Sequence, residues 1–254
     1  MPPGSRSTTT FRIHTEDGRA DAFAAFPDGG EPHPGVLLYM DAFGVRPVLE
    51  ELARELAEQG YYVLVPNVFY RHGPAPVTDL PEHIGADNRH AVFRHLMPLI
   101  EAHTPERALR DAGAYLSFLT ARPEVAAGPV AAIGYCMGAA LAIRTAAAHP
   151  DLVAAVAGFH PGPLVDDTPD SPHLLAPRLA AQLHLGFAEA DVPNMAIDEL
   201  EQALNAAGVD HTCEVYPGTV HGFTMSDTSS FDANALRHHW DRLLPLLKGA
   251  LSTS

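Results

Sequence analysis

Cysteine is scarce in this sequence: its 254 residues include only Cys136 and Cys213. Two cysteines are too few for the disulfide framework of a small secreted protein. Long apolar runs are also missing, since no stretch approaches the roughly 20 residues that a transmembrane helix needs. The opening residues, MPPGSRSTTT, lack the apolar core of a signal peptide. We therefore expect a cytoplasmic protein with reduced thiols and no membrane partner.

Basic residues are also few in comparison with acidic residues. Lys and Arg together number 16 against 31 Asp and Glu, which gives a net charge of −15. Such a charge repels polyphosphates and anionic membranes, so we expect no nucleic acid partner and instead a small-molecule substrate. The sequence does not choose between a monomer and a small homo-oligomer. The length suits one large α/β domain, 1–254.

Short apolar runs alternate with helical segments along the chain. After an antiparallel pair of strands within 10–26, the pattern predicts six buried strands, at 35–40, 61–67, 129–136, 152–160, 180–187 and 211–218. It predicts six helices, at 47–60, 88–102, 105–121, 137–150, 195–207 and 232–248. Residues 1–8 resemble a loose tail, 73–86 an irregular excursion and 161–177 a loop. This order predicts a mostly parallel, doubly wound sheet with helices on both faces and no large lid.

The segment Gly134-Tyr135-Cys136-Met137-Gly138 follows a buried strand and precedes a helix. A nucleophile on so tight a turn crowds the residues two before and two after it, and glycine leaves room there. The N-terminus of the following helix favours a thiolate at Cys136. The Met137 N–H, as a first-turn donor, is available to hold an oxyanion. We predict that Cys136 is a catalytic nucleophile.

A cysteine nucleophile needs a histidine base, and the base needs an orienting carboxylate. His221 follows the last strand, in a loop ahead of the final helix, whereas Glu189 and Asp191 both follow the strand that ends near Phe187. The order nucleophile, acid, base is that of the α/β-hydrolase fold. In that fold the second oxyanion donor comes from the loop after the strand at 35–40, where the Ala42 N–H is the best candidate.

The chain resembles the dienelactone hydrolase family from about residue 10 to 248. The segments that carry the resemblance are MDAFGVRPVLEELARELAEQGYYVLVPN, GYCMGA, GFAEADVP and YPGTVHGF. The resemblance implies an α/β-hydrolase fold and a Cys-His-acid triad that opens esters or lactones, with no metal or organic cofactor. It implies Cys136 as nucleophile and His221 as base. Counting back four from Pro193 in the family pattern selects Glu189 as the acid, with Asp191 as the alternative.

Two further positions differ from the family pattern. Asp41 stands where the family usually has a glutamate that contacts the resting thiol. Met225 stands where dienelactone-cleaving members have a carboxylate-binding arginine, so we expect a preference for neutral substrates. Arg46 and Arg71 both follow strand ends on the active-site side, but we expect them to be surface arginines. The side chains that we expect to contact substrate are Asp41, Phe43, Tyr135, Met225, Arg71 and His160.

The expected function is hydrolysis of a small ester, lactone or thioester through an acyl-enzyme. One alternative is a protein similar to glutamine amidotransferases, which also place cysteine on a G-x-C-x-G turn but need a differently spaced His-Glu pair. Another alternative is a binding or redox-sensing protein on the same scaffold. A burst of product from an activated ester would separate hydrolysis from binding.

Overall fold

An eight-stranded sheet organises the protein, which is described here by a computed structural model that covers residues 6–252. The strands are β1 (Arg6–Thr15), β2 (Gly18–Pro27), β3 (Gly35–Tyr39), β4 (Tyr62–Pro66), β5 (Val130–Tyr135), β6 (Val153–Phe159), β7 (Gln182–Ala188) and β8 (His211–Tyr216). Their order across the sheet is β1-β2-β4-β3-β5-β6-β7-β8. The β1–β2 and β2–β4 pairs are antiparallel, and all the others are parallel. The predicted mostly parallel sheet is confirmed.

Residues 6–252 contain six α-helices. They are α1 (Pro47–Glu58), α2 (Arg89–Ala102), α3 (Pro105–Thr120), α4 (Met137–Ala148), α5 (Ile197–Ala206) and α6 (Ala233–Leu251). Every residue of β3, β4 and β5 is buried, which requires cover on both faces of the sheet. Capping side chains mark two helix starts, because Thr104 accepts a hydrogen bond from the Arg107 N–H and Asp232 accepts from two N–H groups of α6.

The structure differs from the sequence-based expectation at the N-terminus and in the loops. Residues 6–8, predicted as part of a loose tail, belong to β1, where Ser7 pairs with Phe26. The rest of that tail, residues 1–5, lies outside the described residues. Three short 3-10 helices, Tyr70–His72, Pro172–Arg178 and Glu189–Asn194, were not predicted. Elements this short have too few residues to show a periodic apolar pattern.

The excursion at 73–86 packs with α2 as a small hydrophobic cluster of its own. Phe43, Ile84 and Leu96 form the centre of this cluster. Backbone hydrogen bonds fasten Ile84 to the loop after β8, from its N–H to the Asp227 carbonyl at 2.8 Å and from the Ser229 N–H to its carbonyl at 3.0 Å. The cluster therefore forms a fixed wall above the carboxyl ends of the strands. None of the helices within residues 6–252 has the length and apolar character to cross a membrane.

Candidate active site

Cys136 lies on a sharp turn between β5 and α4. Its φ of 54° and ψ of −118° are a backbone conformation that L-residues rarely adopt. A Cβ on Gly134 would lie 1.9 Å from the Gly138 carbonyl oxygen, and a Cβ on Gly138 would lie 2.6 Å from the Met40 carbonyl oxygen. Both glycines are therefore required by the close approach of backbone, as the sequence analysis argued. The turn presents Cys136 at the carboxyl end of the central strand β5.

A narrow pocket lies against Cys136. Five separate segments form its walls: the loop after β3, the start of α2, the end of β5, the end of β6, and the loop after β8. The lining residues are Asp41, Ala42, Phe43, Arg89, Phe93, Cys136, His160, His221, Gly222, Met225 and Thr228. Ligands in open α/β sheets bind beyond the carboxyl ends of the strands, and this pocket occupies that position.

His221 contacts both the thiol and a carboxylate. Its Nδ1 donates to Asp191 Oδ2 at 2.7 Å, and its ring also interacts with the Cys136 side chain. Burial acts to lower the pKa of His221, but the hydrogen bonds and charges of Asp191 and Cys136 outweigh it and raise the pKa to about 10. The arrangement therefore favours a protonated imidazole beside Cys136 at neutral pH.

The preferred candidate acid, Glu189, does not contact His221. Its Oε2 accepts a hydrogen bond from the Gly218 N–H at 2.8 Å, and the residue is exposed. Both acids lie in the 3-10 helix Glu189–Asn194, which turns Asp191 towards His221 and Glu189 towards the end of β8. The alternative acid, Asp191, therefore occupies the orienting position, and the count from Pro193 was wrong by two residues.

Two N–H groups of the loop after β3 already donate hydrogen bonds to acceptors within the loop. The Phe43 N–H donates to Asp41 Oδ1 and the Gly44 N–H to the Asp41 carbonyl, both at 3.1 Å. Ala42 lines the pocket, and Met137 is the first residue of α4, so its N–H has no acceptor within the helix. The roles of the Ala42 and Met137 N–H groups as oxyanion donors stay a prediction.

Asp41 lies at the pocket, but its carboxylate is already paired. Arg46 donates to both of its oxygens, at 2.6 and 3.0 Å, and also donates twice to Asp227, at 2.6 and 3.1 Å. Arg46 is only 5% exposed, so the expectation of a surface arginine is wrong. Asp41 and Arg46 are buried and Asp227 is partly exposed, and this Asp41–Arg46–Asp227 triad ties the loop after β3 to the loop that carries His221.

The other residues predicted to contact substrate divide into two groups. Phe43, Met225 and His160 line the pocket. Tyr135 does not, because its side chain is fully buried and its hydroxyl pairs with His239 Nε2 at 3.0 Å. Arg71 does not either, because it pairs with Asp111 at 2.7 Å and Asp17 at 2.6 Å beside a different depression. The strand-end rule placed Arg71 at the correct edge of the sheet, but its carboxylate partners hold it away from the pocket.

His160 is a buried, neutral part of the pocket. Its Nε2 lies 2.7 Å from the Thr224 hydroxyl, and its Nδ1 has no hydrogen-bond partner among residues 6–252. Burial and then the charge of His221 hold the pKa of His160 well below its usual range. An unpaired buried nitrogen at a pocket wall is a candidate hydrogen-bonding group for a ligand.

Arg89, at the start of α2, is the pocket residue that the sequence analysis missed. Its Nη1 donates to the Ser230 hydroxyl at 3.0 Å, and its guanidinium lies 5.9 Å from the Phe43 ring centroid and 5.7 Å from that of Phe93. No carboxylate pairs with it within residues 6–252. Only the packing of α2 over the pocket brings Arg89 there, and the spacing of residues in the sequence does not reveal that packing.

Comparisons with known proteins agree with the geometry. A protein of Methylorubrum extorquens, provisionally named a carboxymethylenebutenolidase, is 28% identical over 241 residues, which cover 91% of this chain and 77% of that protein. The crystal structure of a provisionally assigned dienelactone hydrolase from Klebsiella pneumoniae superposes with a TM-score of 0.82 at 21% identity, covering 96% of this chain and 98% of that one. A dienelactone hydrolase-like promiscuous phosphotriesterase from metagenomic libraries gives 0.77 at 25% identity, covering 98% and 100%.

The profile of the dienelactone hydrolase family matches residues 20–251, which is most of the chain. The matched range contains the turn with Cys136, the turn with Asp191 and the loop with His221. The expected resemblance and fold are confirmed: this chain belongs to the dienelactone hydrolase family and has the α/β-hydrolase fold.

Proposed function

We propose that this member of a hydrolase family cleaves a small ester, lactone or thioester through an acyl-enzyme on Cys136. The observation that carries the proposal is the hydrogen bond of His221 to Asp191, made in the same pocket that presents Cys136 on a strained turn. A nucleophile, a base and an orienting acid in contact are the parts that acyl transfer by a cysteine requires.

The proposed route begins with the proton of the Cys136 thiol, which His221 takes or already shares in a resting ion pair. The thiolate attacks the substrate carbonyl, and the Met137 and Ala42 N–H groups hold the oxyanion. The tetrahedral intermediate collapses, His221 protonates the leaving oxygen or sulfur, and the acyl group remains on Sγ. His221 then takes a proton from water, the hydroxide attacks the thioester, and the thiolate leaves while the acid product departs. Every step uses side chains and water, so we propose no metal or organic cofactor.

The pocket supports a small substrate with one anionic substituent. Phe43, Phe93 and Met225 supply apolar walls, while Arg89 supplies a guanidinium without a carboxylate partner among residues 6–252. The carboxylate of Asp41 is paired with Arg46, which also pairs with Asp227, so this group of three side chains carries one net negative charge. The expectation of a neutral substrate rested on Met225 and did not include Arg89, so we replace it with a carboxylate-bearing ester or lactone.

The same features argue against the alternatives. The acid on His221 is an aspartate, whereas the amidotransferase alternative requires a glutamate. The loop Asp41–Gly44, which has no role in that alternative, lines the pocket. A free thiol that serves as nucleophile needs a reducing compartment, so we also propose that the protein works in the cytoplasm on a small molecule.

The test is a burst of product from an activated ester, combined with mass spectrometry of the protein. We expect the native protein to give a burst near one equivalent and an acyl adduct on Cys136, whereas Cys136→Ala gives neither. Cys213→Ala is the matched thiol control and should still form the acyl adduct on Cys136. A Cys136→Ala protein with native turnover, or an adduct only on Cys213, would contradict the proposal.

A further inference from the structure

A group of three side chains that are of metal-ligating types lies outside the pocket, between α5 and the edge strand β8. Glu201 of α5 and His211 and Cys213 of β8 each offer one ligand atom, and these three atoms all lie within 4.8 Å of one another. His211 and Cys213 are two apart on a strand, so their side chains leave the same face. None of the three lines the pocket at Cys136. The proposed hydrolysis does not use them.

The three ligand types suit zinc. Imidazole nitrogen, thiolate sulfur and carboxylate oxygen are the atoms that bind Zn²⁺ in proteins, and three of them with one water complete a tetrahedral site. In such a site neighbouring ligand atoms are about 3.3–3.6 Å apart, given usual Zn–N, Zn–O and Zn–S distances. Half-buried side chains at the rim of a sheet can close the remaining gap by rotamer adjustments.

The hydrogen bonding of His211 is an independent observation that favours a ligand. Its Nδ1 lies 2.9 Å from the Val209 carbonyl oxygen, which only accepts hydrogen bonds. In the neutral tautomer that fits this contact, the proton is on Nδ1 and Nε2 offers a lone pair. Metal-binding histidines usually donate their other ring N–H to a carbonyl or carboxylate in this way, which fixes the tautomer and the ring orientation.

We propose that Glu201, His211 and Cys213 bind one Zn²⁺ ion, with water as the fourth ligand. Binding forms the Zn–S bond as the Cys213 thiol releases its proton to solvent. The ion joins α5 to β8, which has only β7 as a neighbour in the sheet. The helix α5 follows the turn that carries Asp191, and β8 precedes the loop that carries His221. Zinc therefore holds together the two elements that lead to the Asp191–His221 pair.

The first test measures zinc directly. Tag-free Cys136→Ala protein, which removes the other thiol, is dialysed against ZnCl₂, and bound metal is counted by elemental mass spectrometry. We expect one Zn²⁺ per chain, and at least tenfold weaker binding when Cys213→Ala or Glu201→Gln is added. Glu199→Gln is the matched control, because Glu199 lies on the same helix but is not a member of the cluster; it should bind as the parent does.

The second test shows whether the Cys213 thiolate binds the metal, and it checks that the variants are folded. With Co²⁺ in place of zinc, the parent should show a thiolate-to-cobalt charge-transfer band in the near ultraviolet, and Glu201→Gln should weaken it without loss of the native circular dichroism. Added zinc should raise the Tm of the parent and of Glu199→Gln but not that of Cys213→Ala. No stoichiometric zinc in the parent, or full binding in Cys213→Ala, overturns the proposal whatever the hydrolase assay shows.

Discussion

Asp191 and Cys136 together keep a proton on His221 in the folded protein. The pKa of His221 is raised from its ordinary value near 6.5 to about 10, although burial acts in the opposite direction. The folded-state pKa lies above the unfolded one, so the stability gained from this proton is fully present below pH 6.5 and is lost as the pH rises through about 10. Across neutral pH the charged imidazole is therefore also the more stable arrangement.

Asp191→Asn should depress kcat much more than Glu189→Gln. Loss of the orienting carboxylate costs up to about 10⁴-fold in a related triad. Removal of the carboxylate also lowers the pKa of His221, because the hydrogen bond of Asp191 is the largest cause that raises it. We therefore expect the alkaline limb of kcat/KM to move to lower pH in Asp191→Asn and to stay in place in Glu189→Gln. The measurement is a pH profile of kcat/KM for all three proteins.

Glu189→Gln is matched in size and charge change, so the comparison isolates the contact with His221. Its own hydrogen bond holds the Gly218 N–H, which an amide oxygen still accepts. If both variants lost activity equally with unshifted limbs, Asp191 would not be the orienting acid.

Some features of the candidate site can be predicted from a short stretch of sequence, and others depend on how distant segments pack. The turn at Cys136 was predicted from the sequence, because the glycine spacing and the strand-to-helix change belong to one continuous segment. Asp191 and Glu189 lie two apart on a short 3-10 helix, and the orientation of that helix, which no local pattern states, decides which carboxylate faces His221. Arg89 depends on how α2 packs over the pocket, which no local pattern states.

Among the secondary-structure elements, the β5–α4 unit depends most on a close approach of backbone. A methyl group on Gly134 would lie 1.9 Å from the Gly138 carbonyl oxygen, far inside contact distance. Gly134→Ala must therefore move the start of α4 and with it Cys136. We expect a loss of more than about 4 kcal/mol in the free energy of unfolding, or no folded protein. Denaturant unfolding of purified protein measures it.

Gly249→Ala is the control, because a Cβ there meets nothing within 4 Å and the residue lies in α6. Replacement of a helical glycine by alanine should stabilise by up to about 1 kcal/mol. A Gly134→Ala protein of native stability would show that α4 can shift at no cost.

The elements were predicted to within about two residues wherever burial is continuous. The central strands β3, β4 and β5 are buried throughout, so they appear as apolar runs that turn residues interrupt. The first residues of β1 were missed because they are polar and half-exposed, and only their pairing with β2 makes them a strand. Pairing between strands is not a local property of the sequence.

The Asp41–Arg46–Asp227 triad connects two loops, distant in sequence, that complete the pocket. Arg46 binds Asp41 after β3 and Asp227 after β8, and its side chain is only 4% exposed. Arg46→Met leaves a buried carboxylate unpaired, which typically costs about 3–5 kcal/mol. We expect that loss in the free energy of unfolding, together with lower kcat, because the Ala42 loop is no longer held against the His221 loop.

Arg54→Met serves as the comparison, since Arg54 forms a more exposed pair with Glu50 at 2.7 Å. Pairs of that kind contribute about 0.3–0.5 kcal/mol, and Arg54 lies away from the pocket. Equal effects of the two substitutions on stability and on kcat would show that the triad does not hold the loops.

The net charge and the pocket charge act on an anionic substrate in opposite directions. The chain carries −15 overall, so encounter with an anion is opposed at long range and helped by salt. Within the pocket, Arg89 offers a charge-assisted hydrogen bond, worth about 1.5–3 kcal/mol. Arg89→Met should therefore lower kcat/KM for a carboxylate-bearing ester by roughly 10- to 100-fold and leave the matched neutral ester nearly unchanged.

Arg94→Met separates the two effects, because Arg94 is exposed on the same helix and its loss changes the net charge equally. We expect Arg94→Met to keep native kcat/KM within about twofold for both esters, since an exposed charge is screened. Raising the ionic strength should increase kcat/KM of the native protein for the anionic ester alone, because it weakens the repulsion from the whole surface. A selective loss in Arg89→Met that persists at high salt then belongs to the short contact in the pocket. Equal losses in the two arginine variants would instead assign anion preference to the overall field and remove Arg89 from the substrate site.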